Sequence, residues 1–363
     1  MNEDYSYFQG QEFRTSLANY ERMLATGVPA ELDSEALTDI AEYYAMNQRM
    51  EDANRCIQYA LSFYPDSVDP QIFLSRQQMF QGNQEKAWAI CNAISDQDDR
   101  EVLFLRAELF FYFGENDRAF DLLLSSYLNA EKEDAPELFY DAIALAMDYG
   151  LGDKALLWVK RLRTDYPEYT DAIALQAEIH NYRREYQQAA DLLRGNIELI
   201  AYDIQAWLQM AEACLWLENY DDAMEAVDFA LAIEPENADA LIMRANILLD
   251  TDRLEEAHEY YVRFLHYFPN DERANYLDSQ CLIDCGCYES AIGRLELLAA
   301  QPGSAIRGYV LSYLAYCHDQ LKHTEQSLHY RQQAEKERTN YLSTLFPDLY
   351  PEDNNTEEPL SSD

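Results

Sequence analysis

Phe13, Leu17, Tyr20 and Leu24 recur at spacings of four, three and four between Glu12 and Ala25. That period predicts an amphipathic helix with one buried face. Further along, the pattern is carried as much by small residues as by large ones. Ala53, Ala87, Ala155, Ala189, Ala223, Ala257 and Ala291 form a ladder, and the last five stand 34 residues apart. Twelve residues ahead of most rungs is a second small residue, giving Ala41, Ser75, Ala177, Ala211, Ala245 and Ser279. Pro65, Pro167, Pro235, Pro269 and Pro302 are separated by 102, 68, 34 and 33 residues. Between the two small positions run short polar turns, such as Leu217-Glu-Asn-Tyr-Asp-Asp-Ala223, Thr251 to Ala257 and Cys285 to Ala291. Earlier turns carry Gly82, Gly114 or Gly150, suited to a helix end in left-handed conformation. Each period therefore predicts two helices that approach closely at small residues, with proline stopping the second.

The best copy runs from Ile204 to Asn237, where Trp207, Met210, Ala211, Tyr220, Ala223, Val227, Ala230 and Pro235 supply aromatic, apolar, small and proline positions in order. This unit resembles the tetratricopeptide repeat. The resemblance covers about nine-tenths of the chain and implies an all-α fold, a right-handed superhelical solenoid of antiparallel helix pairs. Four segments are expected: an amino-terminal capping helix in 1–33, eight tandem pairs in 34–303, a divergent ninth pair and cap in 304–345, and a disordered acidic tail in 346–363. The ninth pair places Ala315 and Ser327 at its small positions. Ala87 to Ala119 is 32 residues and Ala119 to Ala155 is 36. These offsets cancel, which predicts a shortened loop near Gln97 and a lengthened one near Glu131 to Ala135.

In such stacks the first helix of each pair lines the concave wall. The resemblance therefore points to Glu108, Phe111, Tyr112, Glu178, Tyr182, Glu212 and Trp216 as partner-binding positions, with Arg76, Met79 and Phe80 nearer the start. Aromatics interleaved with carboxylates suit a partner segment bearing Lys or Arg beside apolar anchors. Relatives that clamp the acidic tails of chaperones use Lys, Arg and Asn on these helices. Here the corresponding positions hold Ile72, Phe104, Tyr140, Ala174, Leu208 and Ile242, which argues against such a clamp.

Composition narrows the partner further. The net charge is −40, and no Lys or Arg occurs between Gly195 and Met243 while acids recur from Glu198 to Asp239. Such a chain repels phosphate backbones and anionic headgroups, so direct nucleic-acid binding is not expected. The acidic segment is either a steering surface for a basic partner or a solubilising face. No signal-peptide pattern follows Met1, and no run of about 18 apolar residues predicts membrane insertion. The seven scattered cysteines do not form a disulfide framework, which fits a reducing cytoplasm.

Candidate chemistry is sparse. No two of the six histidines are three or four residues apart, so histidine alone does not predict a metal site. Cys281 and Cys285 share a helix face and Cys287 follows across Gly286, a cluster open to a zinc or redox role, with small apolar cysteines at a helix end and turn as the favoured reading. Phosphate-binding glycine loops and nucleophile elbows are missing from the sequence. We expect no catalysis, cofactor or metal. The expected function is a protein-interaction scaffold; the alternatives are an assembly factor or chaperone shielding a basic protein, and a peptide-responsive sensor. Oligomeric state is left open by the sequence.

Overall fold

The structure, a computed structural model, describes residues 7–8, 10–29, 31–300, 306–337, 341–346 and 349. Pro302, the start of the ninth pair at Ser304 and all but Phe346 and Leu349 of the expected tail lie outside the described residues. Among the described residues every regular element is a helix. They fall into two compact units, Met1–Ile179 and His180–Asp363.

The first unit opens with α1 (Gln11–Thr26), followed by α2 (Ser34–Met46), α3 (Met50–Phe63), α4 (Val68–Phe80) and α5 (Gln84–Ala93). It continues with α6 (Arg100–Tyr112), α7 (Asn116–Asn129), α8 (Ala135–Asp148) and α9 (Gly152–Asp165). The unit boundary falls inside α10 (Asp171–Tyr182). The second unit then holds α11 (Tyr186–Arg194), α12 (Ile204–Trp216), α13 (Tyr220–Ile233), α14 (Ala238–Asp250) and α15 (Leu254–Tyr267). It ends with α16 (Glu272–Asp284), α17 (Tyr288–Ala299), α18 (Arg307–Gln320), α19 (Thr324–Lys336) and the short α20 (Tyr341–Leu345).

Consecutive helices pack as pairs, and within the first unit α2, α4 and α6 also pack on one another. The small positions explain the close approach. Ala41, Ala53, Ala87, Ala211, Ala223, Ala245, Ala257 and Ala291 are all fully buried, as are Ser75 and Ser279. In one pair the contact is polar: the Ser75 hydroxyl donates to the Ala87 carbonyl at 2.9 Å. Larger side chains fill the space between pairs, for example Tyr127 stacked on Phe139 at 3.9 Å beside Trp158. In α1 the buried residues are Phe13, Tyr20 and Met23, whereas Leu24 is exposed. The helix presents the neighbouring residue of the same turn, a phase difference the spacing alone does not resolve.

Each first helix ends in the same way. The second residue after it adopts a positive φ, between 57° and 80°: Gln48, Gly82, Gly114, Gly150, Arg184, Glu218, Asp252, Gly286 and Lys322. The next amide then donates back to a carbonyl in the last helical turn, as in Asn83 to Gln78 and Asn219 to Cys214, both 2.9 Å. These bonds satisfy carbonyls that the helix leaves unpaired. Five of the nine left-handed positions carry a Cβ, a conformation that L residues adopt at a cost. Glu218→Gly should therefore raise stability by about 0.5–1 kcal/mol net of glycine's entropy. A Cβ at Gly114 would meet open space, so Gly114→Ala should lower stability by about 1 kcal/mol through backbone strain alone. Urea midpoints of the two variants, shifting in opposite directions, check both signs.

Several Asp and Asn side chains have structural work. Asp33, Asp203, Asn237 and Asp271 each accept the amide of the third residue beyond, Ala36, Ala206, Ala240 and Ala274, at 2.7 to 3.0 Å. These are helix N-caps. Two second helices are short: α5 stops at Ala93 and α11 at Arg194. Beyond α5, the Gln97 amide donates to the carbonyls of Cys91 and Ile94. Beyond α11, the Asn196 amide donates to Leu192 at 2.7 Å. Both side chains end the helix by taking its last carbonyls.

Candidate functional site

In the first unit, α4 and α6 present a mixed surface. The Arg76 Nε bonds the Glu108 carboxylate at 2.8 Å, and Glu108 is mostly covered. One turn on, Phe80 and Tyr112 meet edge to face at 5.8 Å, and both are exposed. Phe111 is not on this surface. It is 4% exposed and packs between Phe120 and Tyr149 at 5.2 and 5.4 Å, inside the core. Met79, the matching residue of α4, is fully buried for the same reason. Both point one helical step away from the face that Phe80 and Tyr112 share. Glu178 is exposed on α10, at the end of the first unit, and is engaged by a neighbouring group.

The second unit places Tyr182, Glu212 and Trp216 on α10 and α12. Tyr182 is exposed, and Trp216 is 64% exposed despite its size. The Trp216 ring lies parallel to Tyr186 at 5.4 Å with 9° between planes. Tyr186 is the first residue of α11 and occupies the repeat position that Tyr220 and Tyr288 fill in later copies. The 34-residue spacing alone marks Tyr186 as that position. The turn before Tyr186 is fixed by charge: the Glu185 carboxylate meets the His180 ring at 2.7 Å and Arg183 at 2.9 Å. Bonds from Arg183 and His180 hold the Glu185 carboxyl below the usual carboxylate range. The Asn181 amide, itself buried, donates to the Gln209 carbonyl at 2.9 Å and ties α10 to α12. Tyr186 thus starts a helix anchored on both sides.

Glu212 lies one helical turn before Trp216 and is half-buried. Burial alone pushes its carboxyl above the ordinary range. Among the described residues it has neither a hydrogen bond nor a cation. It differs in this from Glu108, which Arg76 neutralises. A carboxylate desolvated without a counter-charge favours any ligand that brings one.

Groups suited to other chemistry are few. His318 and His323, five residues apart across a turn, bring their Nδ1 atoms to 3.3 Å, and the His318 ring lies flat on Tyr330. Burial and the neighbouring His323 lower the His318 pKa. Burial pushes the Cys281 thiol up to about 12, while Cys287 is exposed. Among the described residues no group of three or more His, Cys, Asp or Glu side chains could hold a metal ion. Among them, too, no helix is long and apolar enough to cross a membrane.

A family model for the tetratricopeptide repeat matches residues 218–281. A second, for the anaphase-promoting complex, cyclosome, subunit 3, matches residues 148–230. No curated protein matches the chain. Similar solved structures include YrrB, described as a TPR protein with an unusual peptide-binding site, at 17% identity, covering 52% of this chain and 93% of that one, TM-score 0.45. Pseudomonas aeruginosa pilF gives 16% identity, 59% and 93% coverage and TM-score 0.48. MamA gives 16% identity, 46% and 91% coverage and TM-score 0.41. The matched repeat model falls on helix pairs whose small residues are buried at 34-residue intervals, and residues 218–281 match the tetratricopeptide repeat.

Proposed function

We propose that this protein is a non-catalytic interaction scaffold that holds a partner segment carrying Lys or Arg beside an apolar side chain. One observation supports this above all: among the described residues Glu212 is half-buried with no cation beside it, one turn from an exposed tryptophan stacked on a tyrosine. A partner ammonium or guanidinium seated there would neutralise the carboxylate and lie against a ring face. The ring contact contributes about 0.5–2 kcal/mol depending on its desolvation. An aliphatic or aromatic anchor of the same segment would cover Trp216, in the manner of interface hot spots. Glu108 and Glu178 have partners of their own, so we assign the recognition to Glu212, Trp216 and Tyr182 of the second unit.

The partner is protein rather than nucleic acid or membrane, because the acidic segment 195–243 repels phosphate. We also place the protein in the cytoplasm, where its free thiols stay reduced. The test is quantitative capture. The tagged chain and its Glu212→Lys and Trp216→Ala variants are used as baits in cells of the source organism, and co-purifying chains are measured. We expect one or more chains to be reduced about tenfold or more with both variants. Identical capture by all three baits would remove the assignment to this face.

A further inference from the structure

A concave feature lies in the first unit where the α1–α2 connection faces the end of α3. It is a cavity of about 340 Å³ walled by Tyr59, Phe63 and Tyr64 on one side and by Glu31, Leu32 and Asp33 on the other. We propose that it binds an organic ammonium cation.

The walls are built for such a charge. Tyr59 and Phe63 stand at 4.9 Å with 53° between their planes, forming an angled pair of ring faces. Tyr59 is braced from behind by the fully buried Tyr20, edge to face at 6.1 Å. The Tyr64 hydroxyl donates to the Leu32 carbonyl at 2.9 Å, which locks the end of α3 to the opposite wall and fixes the third ring. Phe63 is 60% exposed, an unfavourable position for a phenylalanine that nothing else covers. Across from the rings, Asp33 spends one carboxylate oxygen capping α2 through the Ala36 amide. Among the described residues Glu31 makes no hydrogen bond or ion pair, and neither Lys nor Arg lines the cavity.

Three aromatic faces opposite two carboxylates discriminate among ligands. An anion is repelled by the acids. A neutral apolar group would desolvate both carboxylates without compensation. An alkylammonium ion satisfies both walls, through ring quadrupoles and direct charge. The volume is near the low end of small-molecule sites, roughly 300–1,000 Å³, and suits one cationic head rather than a large ligand. The cation can come from two sources: a free quaternary amine, or a lysine side chain, methylated or not, of a bound protein.

Calorimetric titration of the whole protein decides it. The probes are choline, its neutral carbon analogue 3,3-dimethylbutan-1-ol, and a short peptide containing trimethyllysine, each with wild type, Phe63→Leu, Glu31→Gln and Trp216→Ala. Both altered wall residues are exposed, and unchanged circular dichroism and urea midpoints would establish that the variants fold. We expect choline or the peptide to bind about tenfold more tightly than the neutral analogue. Phe63→Leu and Glu31→Gln should each weaken choline binding at least threefold, and Trp216→Ala should leave choline binding unchanged. Tighter binding of the peptide than of choline assigns the site to a protein side chain, and equal binding assigns it to a free cation. Absence of binding by both cations, equal binding of the neutral analogue, or wild-type affinity in both wall variants overturns the proposal.

Discussion

Replacing Asp278 by alanine should destabilise the second unit by about 3–5 kcal/mol. Asp278 lies on α16 with no exposure to solvent. One oxygen meets the His258 Nδ1 of α15 at 2.6 Å, and the other accepts from the Arg294 Nε of α17 at 2.8 Å. The carboxylate thus joins three successive helices. Its removal leaves the Arg294 guanidinium, which cannot shed its charge, beside a vacant apolar gap. The loss comes from the stranded partner more than from the pair itself, so an all-apolar replacement should recover most of it. Asp278→Leu combined with Arg294→Met and His258→Phe should return to within about 1 kcal/mol of wild type. Urea unfolding of the whole chain, with the m-value checked for a separate transition, measures both variants. A loss below about 1 kcal/mol for Asp278→Ala would mean that water replaces the carboxylate.

Ala257→Leu should cost about 1–3 kcal/mol. Ala257 of α15 and Ala245 of α14 are both fully buried at the close approach of one helix pair. Three extra carbons there must part the helices or force strained rotamers, since a packed interior has no void to receive them. The exposed Ala300 supplies the control, where the same change should stay within about 0.5 kcal/mol. Because stability in a repeat stack depends on neighbouring contacts, the loss should appear in the second unit first. Unfolding followed by hydrogen exchange, amide by amide, locates it.

The small-residue ladder made the helix pairs legible, because a steric requirement leaves few residues that satisfy it. Ala53, Ala87 and Ala223 announce their burial by being small at a fixed interval. The turns were half legible. Gly82 and Gly114 declared a left-handed conformation, but Gln48, Arg184 and Glu218 adopt it too, held there by the helices on each side. Helical phase within a turn was not legible. Phe111 and Tyr112 are adjacent aromatics, and only packing against Phe120 and Tyr149 selects the one that turns inward. Asp278 left a faint mark: it occupies the repeat position that Met210 fills in the best copy, a charge where the pattern asks for an apolar residue. Pairings such as His258 with Asp278 join residues 20 apart on different helices, and no spacing rule contains them. Tyr64 shares its repeat position with Tyr166 and Phe268, each just ahead of a ladder proline, but no spacing rule brings it opposite the Glu31 wall.

In the proposed recognition Glu212 and Trp216 act together on a cationic, partly apolar segment. Fluorescence of Trp216 measures this directly. The whole protein is titrated with a peptide of alternating lysines and leucines, and with one in which glutamates replace the lysines, using Trp216→Phe to subtract the other tryptophans. Occupancy of the face predicts a saturable blue shift for the lysine peptide alone, with affinity weakened about threefold or more by Glu212→Gln. An equal shift with the glutamate peptide, or a lysine-peptide affinity unaltered by Glu212→Gln, would contradict it.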